Sequence, residues 1–149
     1  MGIRLLSQEE ADDMMKSLEG WYSANFYEAF HEERDKPREQ RWALPPEKRL
    51  YYQVGSYLFG INRENLMALS LSSFARIDGT SPRGDCARCF KLLIEEKLIQ
   101  LCREQNKKEI NAQLSPGGVK VFEKLKSMMP GVSLGPVGYY TLGRIEIVI

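Results

Sequence analysis

The sequence has little of several features that would each indicate a class of protein. One histidine, His31, and an odd number of cysteines, three, leave few metal ligands and argue against a secreted disulfide framework. No apolar run approaches the roughly 18 residues of a membrane span, and the first residues lack the apolar core of a signal peptide. The sequence therefore predicts a cytoplasmic protein without a membrane partner.

The chain also lacks an excess of charge of one sign. Its 21 Lys and Arg residues nearly balance 20 Asp and Glu residues, and this balance by itself argues against nucleic-acid binding. The charges are unevenly placed, however, because residues 65–126 hold eleven basic and seven acidic residues (+4), whereas residues 1–64 hold nine and twelve (−3). A basic face can bind phosphates while an acidic remainder cancels the total charge.

Recognisable catalytic patterns are absent as well. The chain has no Ser/His/Asp or Cys/His constellation at known spacing, no phosphate-binding glycine loop and no metal-carboxylate motif. With 149 residues, 43% of them hydrophobic, it has the size and composition of one domain. We therefore expect a single-domain protein, residues 1–149, that is not an enzyme and has no cofactor or metal.

Helix signals dominate the first part of the chain. Ser7 and Glu10 form a capping box before an amphipathic stretch, and residues 25–34 have a second apolar stripe. A charged loop is predicted over residues 32–41. Pro46 then suits the first turn of a helix through about Phe59. The aromatic residues of this part favour core packing, with a ligand pocket or a dimer face as alternatives; they are Trp21, Tyr22, Phe26, Tyr27, Phe30, Tyr51, Tyr52 and Tyr57.

Capping and turn signals become denser after Asn62, which suits the cap of a short helix. Ser70 suits the cap of another over residues 71–77, Asp78-Gly79 predicts a turn, and Ser81-Pro82 predicts a helix over residues 82–96. Residues 98–102 and 109–114 favour two strands of a hairpin with a basic tip. Ser115-Pro116 repeats the cap-proline signature of a helix start.

This order predicts a mainly α protein with a small β-wing, a winged helix-turn-helix of the α+β class. The expected units are an N-terminal helical extension (1–61), the winged-helix unit (62–129) and a Gly-rich, strand-like tail (130–149). The tail suits either a hairpin around Gly143 or an edge strand.

Residues 65–126 resemble the MarR-type winged-helix regulators. Residues 71–77 are similar to their helix before the turn, 81–99 to their recognition helix and its exit, and 103–108 to their wing tip; 114–125 are similar to the strand-to-helix step after the wing. The resemblance implies that the helix 82–96 enters the major groove of double-stranded DNA and that the hairpin 98–114 is the wing. It also implies a homodimer that reads two half-sites.

Candidate DNA-binding residues follow from this arrangement. Arginine and lysine side chains on the recognition helix suit guanine edges and phosphates, and those at the wing tip suit the backbone or the minor groove. A solvated polar surface is the plainer interpretation of the same residues. The predicted set is Thr80, Ser81, Arg83, Arg88, Lys91, Arg103, Gln105, Lys107 and Lys108.

Cys86 and Cys89 have the two-residue spacing of a zinc or redox pair, and Cys102 is a third thiol. Because both lie on the apolar stripe of the predicted helix, packing is the favoured interpretation, with redox sensing and metal binding as alternatives.

The function predicted from the sequence is that of a sequence-specific DNA-binding transcriptional regulator. The alternative is a winged-helix protein-interaction module that joins a larger assembly through its aromatic N-terminal helices or its tail.

Overall fold

A computed structural model describes residues 2–18 and 46–147 of the chain. Within these residues seven strands form one mixed sheet in the order β1-β2-β3-β4-β5-β7-β6. The strands are β1 (Ile3–Leu5), β2 (Arg49–Val54), β3 (Tyr57–Asn62), β4 (Ala68–Arg76), β5 (Glu109–Leu114), β6 (Val132–Val137) and β7 (Tyr140–Glu146). The helices are α1 (Gln8–Ser17), α2 (Cys86–Leu93), a π-helical segment (Ile94–Leu98), α3 (Ile99–Glu104) and α4 (Pro116–Met128).

The winged-helix prediction, and with it the mainly α fold class, is wrong. Segments 71–77 and most of 46–59 are strands of the sheet instead of helices. The short helix predicted directly after Asn62 is absent, because residues 63–67 are not helical. The hairpin predicted over 98–114 is absent, because residues 98–102 continue a helix and β5 pairs with β4 and β7. The boundaries predicted between the three units of the chain, at residues 61 and 129, stay predictions.

Burial on both faces explains the mistaken helix over residues 46–59. Tyr52 and Val54 of β2 lie in the main core, whereas Tyr51 packs with α1 on the opposite side. A strand that is buried on both faces has no clean alternation of polar and apolar residues, so its apolar positions also fit helical spacing. Gly55, with φ of 56°, begins the two-residue loop that turns β2 into β3.

The predicted recognition helix is part of a longer helical stretch. It begins at Cys86 instead of Pro82 and continues through the π-helical segment and α3 to Glu104. Leu98 and Cys102, which are four residues apart, are both fully buried. This spacing places them on one helix face, so the apolar run favours a helix once the sheet is present to cover it.

Three local predictions are confirmed. Ser7 and Glu10 form the capping box at the start of α1. Ser115 caps α4, with Pro116 as its first residue. The tail is a hairpin of β6 and β7 with β6 at the sheet edge, although its turn lies at Gly138-Tyr139 and Gly143 is within β7.

Two helices cover one face of the sheet and form the main core with it. The rings of Phe59, Phe90 and Phe122 lie in sequence from β3 through α2 to α4, with centroids 5.4 and 5.9 Å apart. On the other face α1 packs Ala11 and Met15 near β2, β3 and β4. The helix predicted over residues 25–34, the loop over 32–41, His31 and the aromatics from Trp21 to Phe30 lie outside the described residues.

The parallel pairing of β4 with β5 is short. Only three register pairs join them, from Ala68↔Glu109 to Ser70↔Asn111, after which the two strands separate. A register shift in β4 opposite Gly60 and Ile61 marks a β-bulge just beyond this point. The sheet is therefore split between β4 and β5 towards their carboxyl ends.

Gly143 is required by the packing of α4 on β7. A Cβ atom there would lie 2.5 Å from the Phe122 ring and 2.9 Å from Leu114 Cδ1, whereas one on Gly135 of β6 would meet nothing within 4 Å. Gly143→Ala is expected to lower the free energy of unfolding by about 1–3 kcal/mol, because the Phe122 ring must move. Urea denaturation measures this, with Gly135→Ala as the control. Equal losses in the two variants would contradict the packing argument.

Candidate functional site

A cleft of about 550 Å³ adjoins the separated ends of β4 and β5, since Phe74 of β4 and Ser115, the residue after β5, both line it. Its walls come from β4, from the loop that leads to α2, and from the start of α4. We call this the cleft, and its lining residues are Phe74, Ser81, Pro82, Arg83, Gly84, Ala87, Ser115, Pro116, Gly117, Gly118, Lys120, Val121 and Lys124.

The start of α2 adjoins the cleft, since Gly84 and Ala87 line it, and its first amide, that of Cys86, donates to Arg83 O at 3.0 Å. The N-cap residue Asp85 has helical backbone angles and makes no side-chain cap. The first amides of a helix lack intrahelical acceptors and carry the positive end of the helix dipole. An uncapped start of this kind suits an anion.

Tyr57 of β3 anchors the loop that precedes α2. Its buried hydroxyl accepts a hydrogen bond from the Arg83 amide (3.0 Å) and donates one to Asp85 Oδ1 (2.5 Å). Burial, followed by the bond to Asp85, raises the pKa of Tyr57 to about 12, and the Tyr57 hydroxyl lowers the pKa of Asp85. A neutral phenol thus holds the loop in place, and the Asp85 carboxylate is bonded to this phenol.

The opposite wall is the first part of α4. Ser115 accepts a hydrogen bond from the Gly118 amide, and Gly117 and Gly118 leave the backbone there without side chains. Lys124 reaches across and donates to the Gly84 carbonyl at 2.7 Å. A Cβ on Gly84 would lie 2.8 Å from Lys124 Nζ, so a glycine permits this close contact.

The ionisable groups of the lining all have the same sign. Arg83, Lys120 and Lys124 are cations, and the described lining contains no carboxylate, histidine or cysteine. Three cations and an uncapped helix start around a partly apolar cleft suit a ligand with an anionic end and an uncharged stem.

The structure separates the residues predicted to bind DNA. Ser81 and Arg83 line the cleft, and Thr80 lies beside them, where it bonds to Asp78. The others lie elsewhere: Arg88 is exposed on α2, Lys91 pairs with Glu95, Arg103 and Gln105 are at the far end of α3, Lys107 is buried and Lys108 precedes β5. No winged helix unites them.

None of the three cysteines forms a disulfide, and all three are buried. Burial raises the pKa of the Cys86 thiol to about 12 and that of Cys102 to about 11, and it also raises that of Cys89. A redox sensor needs an exposed thiol with a low pKa, so these properties favour packing. Within the described residues no cluster of metal-ligating side chains occurs, and no helix is long and apolar enough to cross a membrane.

Sequence reasoning missed most of the cleft. Lys120 and Lys124 are four residues apart and follow a glycine pair at a helix start, a spacing that puts two cations on one face near free amides. That signal was present in the sequence. Phe74 and Tyr57 carried no such signal, because their segments were predicted to be helices.

We expect Tyr57→Phe to raise the pKa of Asp85 towards its ordinary value of 3.8, because the carboxylate loses its phenol donor. The variant should be less stable near neutral pH by about 1–2 kcal/mol. A lowered folded-state pKa stabilises above the unfolded pKa, and this contribution disappears as the pH falls through the folded value. The difference in free energy of unfolding between Tyr57→Phe and the unmodified protein should therefore become smaller as the pH falls below about 4.

NMR titration of the carboxyl carbon of Asp85 and denaturation across this pH range measure both effects. Tyr52→Phe, in the neighbouring strand, is the control and should leave the pKa of Asp85 unchanged. An unchanged pKa in Tyr57→Phe would refute the anchoring role.

Comparisons with known proteins agree with this architecture. No protein-family model matches the sequence, and no curated protein matches it. Solved structures do match in fold: an aminoglycoside 6'-acetyltransferase type Ii has a TM-score of 0.63 at 9% identity, with 100% of this chain and 99% of that chain covered. The GNAT domain of S. lividans PAT has a TM-score of 0.60 at 11% identity, with 97% and 89% covered. The PaiA N-acetyltransferase from Thermoplasma acidophilum, in complex with coenzyme A, has a TM-score of 0.59 at 13% identity, with 98% and 99% covered.

These likenesses correct the functional predictions. The resemblance to MarR-type regulators is wrong. The predictions of a DNA partner, of a homodimer with two recognition helices and of a protein-interaction module are wrong as well, since all of them required a winged helix. The expectation that the chain is not an enzyme is contradicted by the same acetyltransferase structures. The chain has the fold of the GNAT acetyltransferases.

Proposed function

We propose that this protein is an acyltransferase that binds an acyl-coenzyme A in the cleft. The observation that carries the proposal is the split between β4 and β5, which leads to an uncapped helix start and three cations. Among the similar structures, that of the PaiA N-acetyltransferase contains coenzyme A.

The phosphate end of the ligand fits the mouth of the cleft. Amides at the start of α2 donate to phosphate oxygens, and Arg83, Lys120 and Lys124 neutralise their charge. Among the described residues the Lys124 ammonium bonds to a neutral carbonyl, Gly84 O, and can therefore turn to a phosphate without breaking an ion pair with any of them. Tyr57 keeps the loop in place for this contact.

The stem of the ligand fits the split itself. Beyond Ser70 and Asn111 the facing edges of β4 and β5 no longer pair with each other, so their backbone groups can bond to an extended chain that carries amides. Phe74 and Val121 supply apolar contacts along the same path. An acyl-coenzyme A has such an amide-bearing stem, with the thioester at its end.

The bound thioester supplies an activated acyl group: a bond forms from the acceptor nucleophile to the acyl carbon, the carbon–sulfur bond breaks, and the acceptor's proton ends on the thiol. Because the described lining holds only cations as ionisable groups, the cleft residues contribute binding and orientation there, not proton abstraction. The closed end of the split, at Ser70 and Asn111, fixes how far the stem enters.

Isothermal titration calorimetry with coenzyme A tests the proposal. Lys120→Gln and Lys124→Gln are each expected to weaken binding about five- to tenfold, since each removes one charged contact to phosphate. Affinity should also fall as the salt concentration rises.

Lys126→Gln is the matched control, because Lys126 is exposed on the same helix but does not line the cleft. The absence of coenzyme A binding at low salt, or an equal loss in Lys126→Gln, would overturn the proposal.

A further inference from the structure

Lys107 is the buried charged side chain of the described residues, with 4% of its surface exposed. Its ammonium group donates to three backbone carbonyls: Arg63 O at 2.8 Å, Asn65 O at 2.7 Å and Ala68 O at 3.3 Å. No carboxylate of the described residues lies within ion-pair distance of it. Since an ammonium has three donors, every one of them is used on the main chain.

A buried charge without a counter-charge is expensive, and the desolvation lowers the pKa of Lys107. An apolar residue of similar length would avoid this cost but would leave three carbonyls without a donor. We therefore infer that the structure requires these three carbonyls to be held together.

The position of Lys107 connects three elements. Its own amide donates to Cys102 O of α3, and the next amide, that of Lys108, donates to Met67 O. The three bound carbonyls belong to the β3–β4 connection and to Ala68, the first residue of β4. Ala68 is also the first residue to pair with β5.

Lys107 thus lies at the closed end of the split. The three register pairs that join β4 to β5 cover only about 7 Å, whereas β4 extends about 20 Å from Ala68 to Phe74. A tilt at the paired end is therefore magnified about threefold at Phe74 in the cleft wall. A small change in the angle between the first residues of β4 and those of β5 therefore changes the width of the cleft.

We propose that Lys107 is a positioning residue that sets the width of the cleft. Its ammonium fixes the start of β4 and the preceding connection against the start of β5. It does so without touching the ligand, because it does not line the cleft. The inference rests on the proposed function only where coenzyme A affinity is the readout.

Lys107→Ala with chemical rescue tests the proposal. The variant removes the atoms of one n-propylammonium ion, so this ion is the probe and uncharged n-propanol is its control. We expect Lys107→Ala to weaken coenzyme A binding about tenfold, because the cleft wall must then be ordered when the ligand binds. We also expect faster hydrogen exchange at residues 69–71 and 110–112, and reversal of both effects by n-propylammonium but not by n-propanol.

Two further variants make the outcome decisive. Lys107→Met fills the space without the charge and should show the same losses without rescue. Lys108→Ala, one residue along and exposed, is the matched control and should behave as the unmodified protein. If Lys107→Ala does not fold alone, folding in the presence of n-propylammonium but not of n-propanol supports the ammonium site. If neither probe restores folding, hydrogen exchange at residues 69–71 and 110–112 in Lys107→Met decides the role of Lys107.

Lower thermal stability in either variant, with unchanged exchange at these residues and unchanged affinity, would overturn the proposal. Such a result would mean that Lys107 only secures the β3–β4 connection. If the unmodified protein does not bind coenzyme A, the proposed function fails, whereas the exchange measurements still decide the role of Lys107.

Discussion

The short parallel ladder between β4 and β5 determines how the sheet divides and where the cleft lies. Three register pairs hold the two strands together, and beyond Ser70 and Asn111 each strand follows a different neighbour: β4 stays with β3, and β5 stays with β7. The backbone groups that face each other across the opening lack strand partners. In the proposed function, an extended ligand rich in amides would satisfy them.

Different anchors hold the two ends of this opening. At the mouth, the neutral Tyr57 phenol holds the loop before α2 through Arg83 and Asp85. At the closed end, the charged Lys107 ammonium gathers three carbonyls at the start of β4. Both are buried side chains that orient main-chain groups: the phenol accepts from the Arg83 amide, and the ammonium donates to carbonyls. The cations that face the cleft remain on its surface, where a phosphate can reach them.

The mistaken winged helix has a physical explanation. A cap with proline, a helix, an apolar run and a second cap with proline occur in the order typical of a winged helix, and they also occur in a strand–helix–strand–helix unit of this sheet. Residues 98–102 have apolar positions that fit a strand or a helix, and only the coverage of Leu98 and Cys102 by the sheet decides between them. Ser70 has a residue type that often caps a helix, yet its hydroxyl donates to Asn111, 41 residues away.

Local sequence patterns specify the elements whose stabilising contacts lie within a few residues. The capping box of α1, the start of α4 at Ser115 and the strand preference of the tail each depend on hydrogen bonds or propensities within a few residues. One of the three cations of the cleft, Arg83, was also predicted as a binding residue, together with Ser81, although for another ligand. The tertiary structure alone decided the identity of β2, β3 and β4, the burial of Lys107 and the approach of Lys124 to Gly84. The physical reason is that a strand or a cleft is stabilised by partners that are distant along the chain, and no local pattern specifies which partners will meet.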